Sequence, residues 1–355
     1  MHDYKKIFVI RFSSLGDVIL TLPLIKVLKE KFPESEIDYL TKASYSDILK
    51  INPSISKFIT VDDELDYMEL KELRKKLANE KYDLVIDLHN NLRTFYLKFF
   101  LKRHARIITF KKYSIRKFLL VKFKINLMKN LPPIYMRYIQ TLQKIRGISL
   151  DTSRIELTQN IYTDSQSKQN LELILKENNI PANKRLICIV PGSKHFTKTY
   201  PTEYYAGLIN KFDKEKYSVI LVGKGKDKEI INSIKSQCDN NVYDFCNKLS
   251  LIELAELVKK CSLVIGGDTG PIHIAEAFNI PLLMIAGSSV REFGFYPQSE
   301  RAIILENNNL KCRPCSHIGR DKCPKVHFKC MKEITDEMVL ERLTPTLSKG
   351  EFKLL

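Results

Sequence analysis

Several short strings in this 355-residue chain combine small residues with ionisable side chains at points where an apolar run gives way to a helix-period stretch. Ser13-Ser14-Leu15-Gly16-Asp17 directly follows KKIFVIRF. Small residues let the backbone approach a ligand, and a helix N-terminus favours an anion or a carboxylate, so Asp17 lies at the mouth of a candidate site. On spacing alone, Ser14 or Asp17 serves equally well as a helix cap. The string is not G-x-G-x-x-G, so the dinucleotide fingerprint is absent. A second string, Asp268-Thr269-Gly270-Pro271 with His273, follows SLVIGG; Pro271 suits an early helix position that lacks an N–H, and backbone donors there would cradle a phosphate. Taken singly, Asp268 reads as an N-cap and His273 as an ordinary helix residue. The loop Pro191–Pro201 carries Ser193, Lys194, Thr197 and Lys198, whose lysines either neutralise a diphosphate as compact charges or stay solvated. A weaker turn of the same kind is Gly223-Lys224-Gly225-Lys226-Asp227.

The elements that must position these strings alternate as βαβ units, and they do so twice. The first series runs KKIFVIRF (strand), DVILTLPLIKVLKEKF (one amphipathic helix), SEIDYLT (strand), LKELRKKLANEK (helix) and YDLVIDLH (strand). The second runs RLICIVPGS, PTEYYAGLINKF, YSVILVG, DKEIINSIKSQC, LIELAELVKK, SLVIGGD, GPIHIAEAFN and PLLMIAG. Between them the polar stretch from Ser149 to Ser167 reads as a linker. EITDEMVLERL reads as a final helix capped by Thr335, with Asp336 and Glu337 in its first turn. The expected architecture is α/β: two Rossmann-like, doubly wound domains, residues 1–160 and 161–355, facing across a cleft at the carboxyl ends of their strands. The second includes a Cys-rich segment, residues 312–330, and the terminal helix.

With 44% apolar and 28% charged residues and only 13 Gly and 14 Pro, disordered and fibrous classes drop out. The longest apolar runs, such as Leu282–Ala286, are far short of the roughly 20 residues that span a bilayer, and the first ten residues lack a signal-peptide pattern, so a cytoplasmic protein is expected. The net charge of +17 is concentrated: from Leu88 to Leu150 there is no Asp or Glu, against fifteen Lys and Arg that include Arg93, Lys111, Lys112 and Arg116. One reading is a solvated face. The interleaved aromatics of TFYLKFFLKRHARIITF suit anionic headgroups or a lipid-linked anionic substrate. Nucleic acid would also explain the charge, but no recognised nucleic-acid motif is present and the phosphate-cradling turns would then lack a purpose. A non-enzymatic binder of anionic lipid or nucleic acid is thus the alternative to an enzyme.

SSLGDVILTLPLIKVLKEKFP, the PGS…K-x-Y-P loop and GGDTGPIHIAEAFNIP together resemble the lipopolysaccharide heptosyltransferases, glycosyltransferase family 9, from residue 5 to about residue 340. The resemblance implies a GT-B fold, with acceptor bound by the first domain and nucleotide-sugar by the second. It implies inverting transfer of heptose from ADP-L-glycero-D-manno-heptose to Kdo-lipid A or heptosyl-Kdo-lipid A, by a monomer at the inner face of the inner membrane. By the same resemblance Asp17 is the general base, with Ser13, Ser14 and Gly16 on the acceptor side. Lys198 contacts the donor diphosphate, Ser193 and Thr197 of its loop are donor-binding, and Tyr200 stands where Trp is usual. Asp268, Thr269, Gly270 and His273 hold the donor, and Asp227 stands for the ribose-binding acid. Asp87-Leu88-His89-Asn90-Asn91-Leu92-Arg93-Thr94 resembles D-x-Q-G-L-x-R/K-S, with His89 and Asn90 replacing Gln and Gly; Arg93 is then an acceptor contact, joined on charge by Lys111, Lys112 and Arg116.

No D-x-D string occurs, so no catalytic metal or cofactor is expected; Lys198 and a helix dipole would take the metal's place. Cys312, Cys315, Cys323 and Cys330 fall within nineteen residues and resemble a zinc arrangement, either as a structural zinc site or as reduced packing thiols. Cys188, Cys238, Cys246 and Cys261 are expected to be packing thiols.

Overall fold

Apolar runs without alternation fold as strands buried on both faces, the condition of a parallel sheet covered by helices. A computed structural model of the chain describes residues 4–151, 155, 160–239 and 242–348. Two compact units result: Met1–Ser114 with Leu131–Tyr162, and Ile115–Asn130 with Thr163–Leu355.

The first unit contains β1 (Lys6–Ile10), α1 (Leu15–Ile19), α2 (Leu22–Lys31), β2 (Glu36–Lys42), α3 (Asp47–Lys50), β3 (Lys57–Val61), α4 (Tyr67–Ala78), β4 (Leu84–Asp87), α5 (Leu92–Leu101) and β5 (Arg106–Thr109). The segment Ile115–Asn130, which carries nearly all of α6 (Ser114–Phe123), clusters with the second unit, and the chain returns to the first with α7 (Ile134–Gln140). The five strands are parallel in the order β3-β2-β1-β4-β5. Phe8, Ile10, Leu40 and Val85 of the sheet meet Leu73 and Leu77 of α4 and Leu97 and Leu101 of α5 in one core. Asp66 starts α4 by accepting from Glu69 N at 2.8 Å while its own N–H donates to Glu69 Oε2, a capping box. The stretch DVILTLPLIKVLKEKF, expected as one helix, is two. Pro23 falls in the first turn of α2, where its missing N–H costs nothing, whereas a continuous helix would set its ring against the carbonyl of Ile19. Thr21 occupies the break, its hydroxyl donating to Val18 O at 2.6 Å and pairing with Tyr39 OH.

The second unit contains α8 (Ser165–Glu177), β6 (Arg185–Val190), α9 (Thr202–Asn210), β7 (Tyr217–Leu221), α10 (Asp227–Lys235), β8 (Val242–Asp244), α11 (Leu251–Lys260), β9 (Leu263–Gly266), α12 (Gly270–Ala277), β10 (Leu282–Ala286), β11 (Ala302–Glu306), α13 (Lys329–Lys332) and α14 (Asp336–Ser348). Its six parallel strands lie in the order β11-β10-β9-β6-β7-β8. Renumbered from β6, that is the 3-2-1-4-5-6 order of a doubly wound nucleotide-binding sheet, and the first unit shows the same order less one strand. In each unit the order reverses between two neighbouring strands, β1 and β4 or β6 and β9, and the loops leaving their carboxyl ends part to leave room for a ligand. Of the expected linker, residues 152–154 and 156–159 lie outside the described residues; α8 already begins at Ser165, with Asp164 capping Ser167 N at 2.7 Å. Among the described residues no helix is long and apolar enough to cross a membrane.

The final helix starts where the sequence places it, with Met338 N donating to Thr335 Oγ1 at 3.4 Å. It packs on α9 so closely that a methyl group at Gly207 would come within 2.3 Å of Asp336 Oδ2, a carboxylate held by Lys211 at 2.7 Å. Gly207→Ala therefore sets a helix-propensity gain of about 1 kcal/mol against a clash costing about 1–3 kcal/mol. Chemical denaturation is expected to find it neutral to destabilising in the native background and stabilising in an Asp336→Ala background. The same sign in both would refute the contact.

Candidate active site

In the second unit the loop leaving β6 folds back over the end of β9. Gly267 and Gly287 make this possible: a Cβ at Gly267 would stand 2.6 Å from the Lys198 carbonyl oxygen, and one at Gly287 would stand 2.7 Å from that of Thr197. Thr197 is buried, and its hydroxyl oxygen accepts from Ser288 Oγ at 3.0 Å and Arg320 N at 2.9 Å, which anchors the loop. The next residue, Lys198, reaches Asp268 Oδ2 at 2.6 Å, and both side chains are largely buried. Thr269 is the N-cap of α12, with Gly270 and Pro271 in its first turn, so the leading N–H groups of the helix have no helical partner. His273 lies one turn in, fully buried, with Nε2 3.9 Å from Asp268 Oδ1 and Nδ1 3.7 Å from Glu276 Oε2. These are ion-pair rather than hydrogen-bond distances, and Nδ1 has no hydrogen-bond partner. Burial opposes a charge on His273, but the two flanking carboxylates outweigh it and push its pKa up to about 9. Burial would likewise raise Asp268; Lys198 and His273 instead hold it well below the carboxylate range.

In the first unit Asp17 sits in the first turn of α1. Its Oδ2 accepts from Ser14 N at 3.1 Å and Ser14 Oγ at 2.9 Å, and its Oδ1 meets Arg11 Nη2 at 2.6 Å and Tyr138 OH at 2.9 Å. Asp17 is thus both a capping residue and the carboxylate at the end of β1, a choice that spacing left open. Burial alone would raise its pKa, but Arg11 and the donors of Ser14 and Tyr138 lower it. Arg11 also donates from Nε to Ser13 O at 2.8 Å and from Nη1 to Leu88 O at 2.7 Å, tying the loop after β1 to the loop after β4. In that second loop Asp87 Oδ1 accepts from His89 N at 3.0 Å and Asn90 N at 2.7 Å, while its buried Oδ2 is paired with Lys98 of α5. Asn90 has φ of +48°, a conformation that Asn tolerates better than other side chains, which is how it serves where the family pattern carries Gly. His89 packs edge-on against Phe12 at 5.1 Å; burial, then the nearby charges of Arg11 and Lys112, lower its pKa to about 4. Lys112 is lowered by burial and then by Arg11.

The structure therefore gathers Asp17, Ser14 and Lys112 around Arg11, His89 and Tyr138. Arg11 carries a signal in retrospect, as the one charge closing an apolar run; Tyr138, 121 residues from Asp17, carries none. Arg93 is exposed in the first turn of α5, and Lys111 is exposed with its ammonium 5.1 Å from the ring of Tyr113. Arg116 lies on α6 and donates to Leu127 O at 3.3 Å. Ser193 accepts from His195 N at 3.4 Å, and Asp227 receives Lys224 N at 2.9 Å at the start of α10, against Gly192. Tyr200 is buried beside Tyr205 and donates to Ile334 O at 2.7 Å.

The Cys-rich segment brings its four thiols near enough to one another to interact electrostatically. Among the described residues no group of three or more His, Cys, Asp or Glu is placed to hold a metal ion, and all eight cysteines are free thiols. Cys330 joins the core beside Met331 and Ile334, and the Cys312 sulfur is turned to His327 Nε2 at 3.9 Å. Buried Arg313 organises the segment instead, donating to Ser289 O at 2.8 Å and pairing with Glu306 at 3.0 Å.

Two measurements probe this geometry. Gly267→Ala must push the Lys198 backbone away, and is expected to cost about 1–3 kcal/mol in denaturant unfolding; an unchanged midpoint would refute the close approach. His273, raised from 6.5 to about 9 in the fold, contributes stability that is complete below about pH 6.5 and is lost as pH rises through 9, at most about 3 kcal/mol. Stability measured from pH 6 to about pH 10 is expected to fall in the wild type and to flatten in His273→Gln.

The family model of glycosyltransferase family 9 (heptosyltransferase) matches residues 70–326. Lipooligosaccharide heptosyltransferase 2 of Haemophilus influenzae is 26% identical over 97% of this chain and 99% of its own. A family 9 glycosyl transferase from Veillonella parvula superposes with a TM-score of 0.79 at 25% identity, over 98% of this chain and 99% of that one. The ADP-heptose lipopolysaccharide heptosyltransferase II of Escherichia coli gives 0.74 at 21% identity, over 98% and 99%. With two doubly wound parallel sheets, a buried acid after β1 and a Lys–Asp pair before α12, the chain belongs to glycosyltransferase family 9, the GT-B heptosyltransferases.

Proposed function

We propose that the chain transfers heptose from ADP-L-glycero-D-manno-heptose to the lipopolysaccharide inner core, Kdo-lipid A or heptosyl-Kdo-lipid A, with inversion at the anomeric carbon. The observation that carries this reading is the pair of switch-point sites: a carboxylate kept ionised in one unit, and a lysine beside a helix N-terminus in the other. The relatives named for heptosyl transfer, one of them for ADP-heptose, support the choice of sugar and base.

Inversion needs a base for the acceptor hydroxyl and a stabiliser for the departing diphosphate. Asp17 is the base. A carboxylate of lowered pKa is a poor base toward a resting alcohol, so the proton moves as the new C–O bond forms and the hydroxyl becomes acidic. Arg11 and Tyr138 fix the carboxylate meanwhile. The bond from the anomeric carbon to the diphosphate breaks, and ADP leaves with its charge balanced by Lys198 and the N–H groups at Thr269 and Gly270. His273 keeps Asp268 ionised and shares it, so that Asp268 does not hold Lys198 exclusively. Asp227 serves the ribose of the donor, and Ser193 contacts the donor from the loop after β6. No metal takes part. Arg93, Lys111, Lys112 and Arg116, with Ser13 and Gly16, receive the anionic acceptor, and the enzyme acts as a monomer in the cytoplasm, at the inner face of the inner membrane.

Thermal shift with ADP, UDP, GDP and CMP in the absence of metal is expected to select ADP, with the shift reduced in Lys198→Ala. A selective UDP or GDP shift would overturn the heptose donor and keep the transferase. Asp17→Asn is expected to lower turnover about 10²–10⁴-fold while leaving the ADP shift intact; wild-type turnover would remove Asp17 from the chemistry.

A further inference from the structure

Helix α5 is apolar on its outer face as well as on its inner one. A helix packed on a sheet normally keeps apolar residues inward and charges outward. The inward residues of α5 are Thr94, Leu97 and Leu101, and with them Lys98, whose ammonium is paired with the fully buried Asp87. Facing outward are Leu92, Phe95 and Phe99, with relative exposures of 88%, 63% and 65%. Their spacing of three and four residues puts them on one stripe. Phe100 extends the stripe under the guanidinium of Arg74, 4.1 Å from its ring centroid, and Tyr67 and Met68 at the start of α4 are exposed beside it through the Tyr67–Tyr96 contact. Packing explains Lys98, which neutralises Asp87, whereas the outward rings stay exposed, Phe99 edge-on to Phe100 at 5.3 Å.

The rim identifies the occupant. Arg93, Lys102 and Arg103 are exposed at the two ends of α5, inside the span from Leu88 to Leu150 that contains no acid. We propose that this stripe is the face by which the protein docks on a bilayer of anionic phospholipid, with Leu92, Phe95 and Phe99 entering the acyl boundary and the three cations at headgroup level. The proposal rests on the reading above only in that a lipid-linked acceptor makes such docking useful. A symmetric dimer through the same stripe would bring the three cations of one copy near those of the other, which disfavours a second copy as occupant.

Co-sedimentation of the full chain with phosphatidylcholine vesicles, with and without phosphatidylglycerol, tests it. Binding is expected only with phosphatidylglycerol and to weaken with salt. Phe95→Ser/Phe99→Ser is expected to lower partitioning about tenfold or more, and Lys102→Glu/Arg103→Glu to lower it roughly fivefold for each charge removed. Both variants should keep the wild-type melting profile, the ADP thermal shift and turnover on a delipidated, water-soluble acceptor. Wild-type protein that ignores anionic vesicles, or variants that bind them as wild type does, would overturn the proposal. So would a dimer in sedimentation velocity that Phe95→Ser/Phe99→Ser abolishes, which would give the stripe to a second copy. Vesicle binding lost in the variants without turnover by any form would uphold the docking face and count against the heptosyl transfer reading instead.

Discussion

The ion pair between Arg11 and Asp17 is the constraint around which the first unit is arranged. A carboxylate at the end of a buried parallel strand is desolvated on nearly every side, and without a partner it would take up a proton. Arg11 at 2.6 Å prevents this, and does so from the residue immediately after β1, whose backbone N–H still donates to Leu40 O of β2 at 3.0 Å. Two further guanidinium donors go to Ser13 O and Leu88 O, so one side chain holds the charge of the acid and the spacing of the two loops at the switch point. Removing one member of such a buried pair typically costs about 3–5 kcal/mol, because the other is left charged and unpaired. Position and protonation state of Asp17 are therefore one property.

The second unit solves the same problem with an alternating row. Lys198, Asp268, His273 and Glu276 alternate in charge along the row, and their proximity holds the Asp268 carboxyl below and the His273 imidazole above its ordinary pKa against the cost of burial. The row sits at the N-terminus of α12, where an arriving anion meets free N–H groups and a lysine whose existing partner is already shared with His273. Close packing at Gly267 and Gly287 is what brings the lysine loop and the helix terminus into register. The glycines are thus part of the electrostatics as much as of the turn.

Charge placement also distinguishes the parts of the molecule that face outward. On α5 the buried Asp87 draws Lys98 inward and leaves aromatic rings on the outer stripe. In the Cys-rich segment the organiser is Arg313, satisfied by backbone carbonyls and Glu306, while the thiols pack or lie at the margin. In both places a single buried cation does what composition alone would have assigned to other residues.

The alternation of apolar runs and helix-period stretches determined two parallel, doubly wound sheets, because a strand buried on both faces and a crossover helix admit few other arrangements. The strings at the strand ends likewise put Asp17, Asp268 and His273 at the starts of helices, because capping and first-turn positions are set by short-range spacing. The anchoring of Thr197 and the recruitment of Tyr138 were decided by tertiary structure. Each depends on partners far along the chain, and so does the charge state of every buried group in both sites. A sequence records which residues can ionise; which of them remain charged is set by burial and by neighbours that only the folded chain brings within a few ångströms.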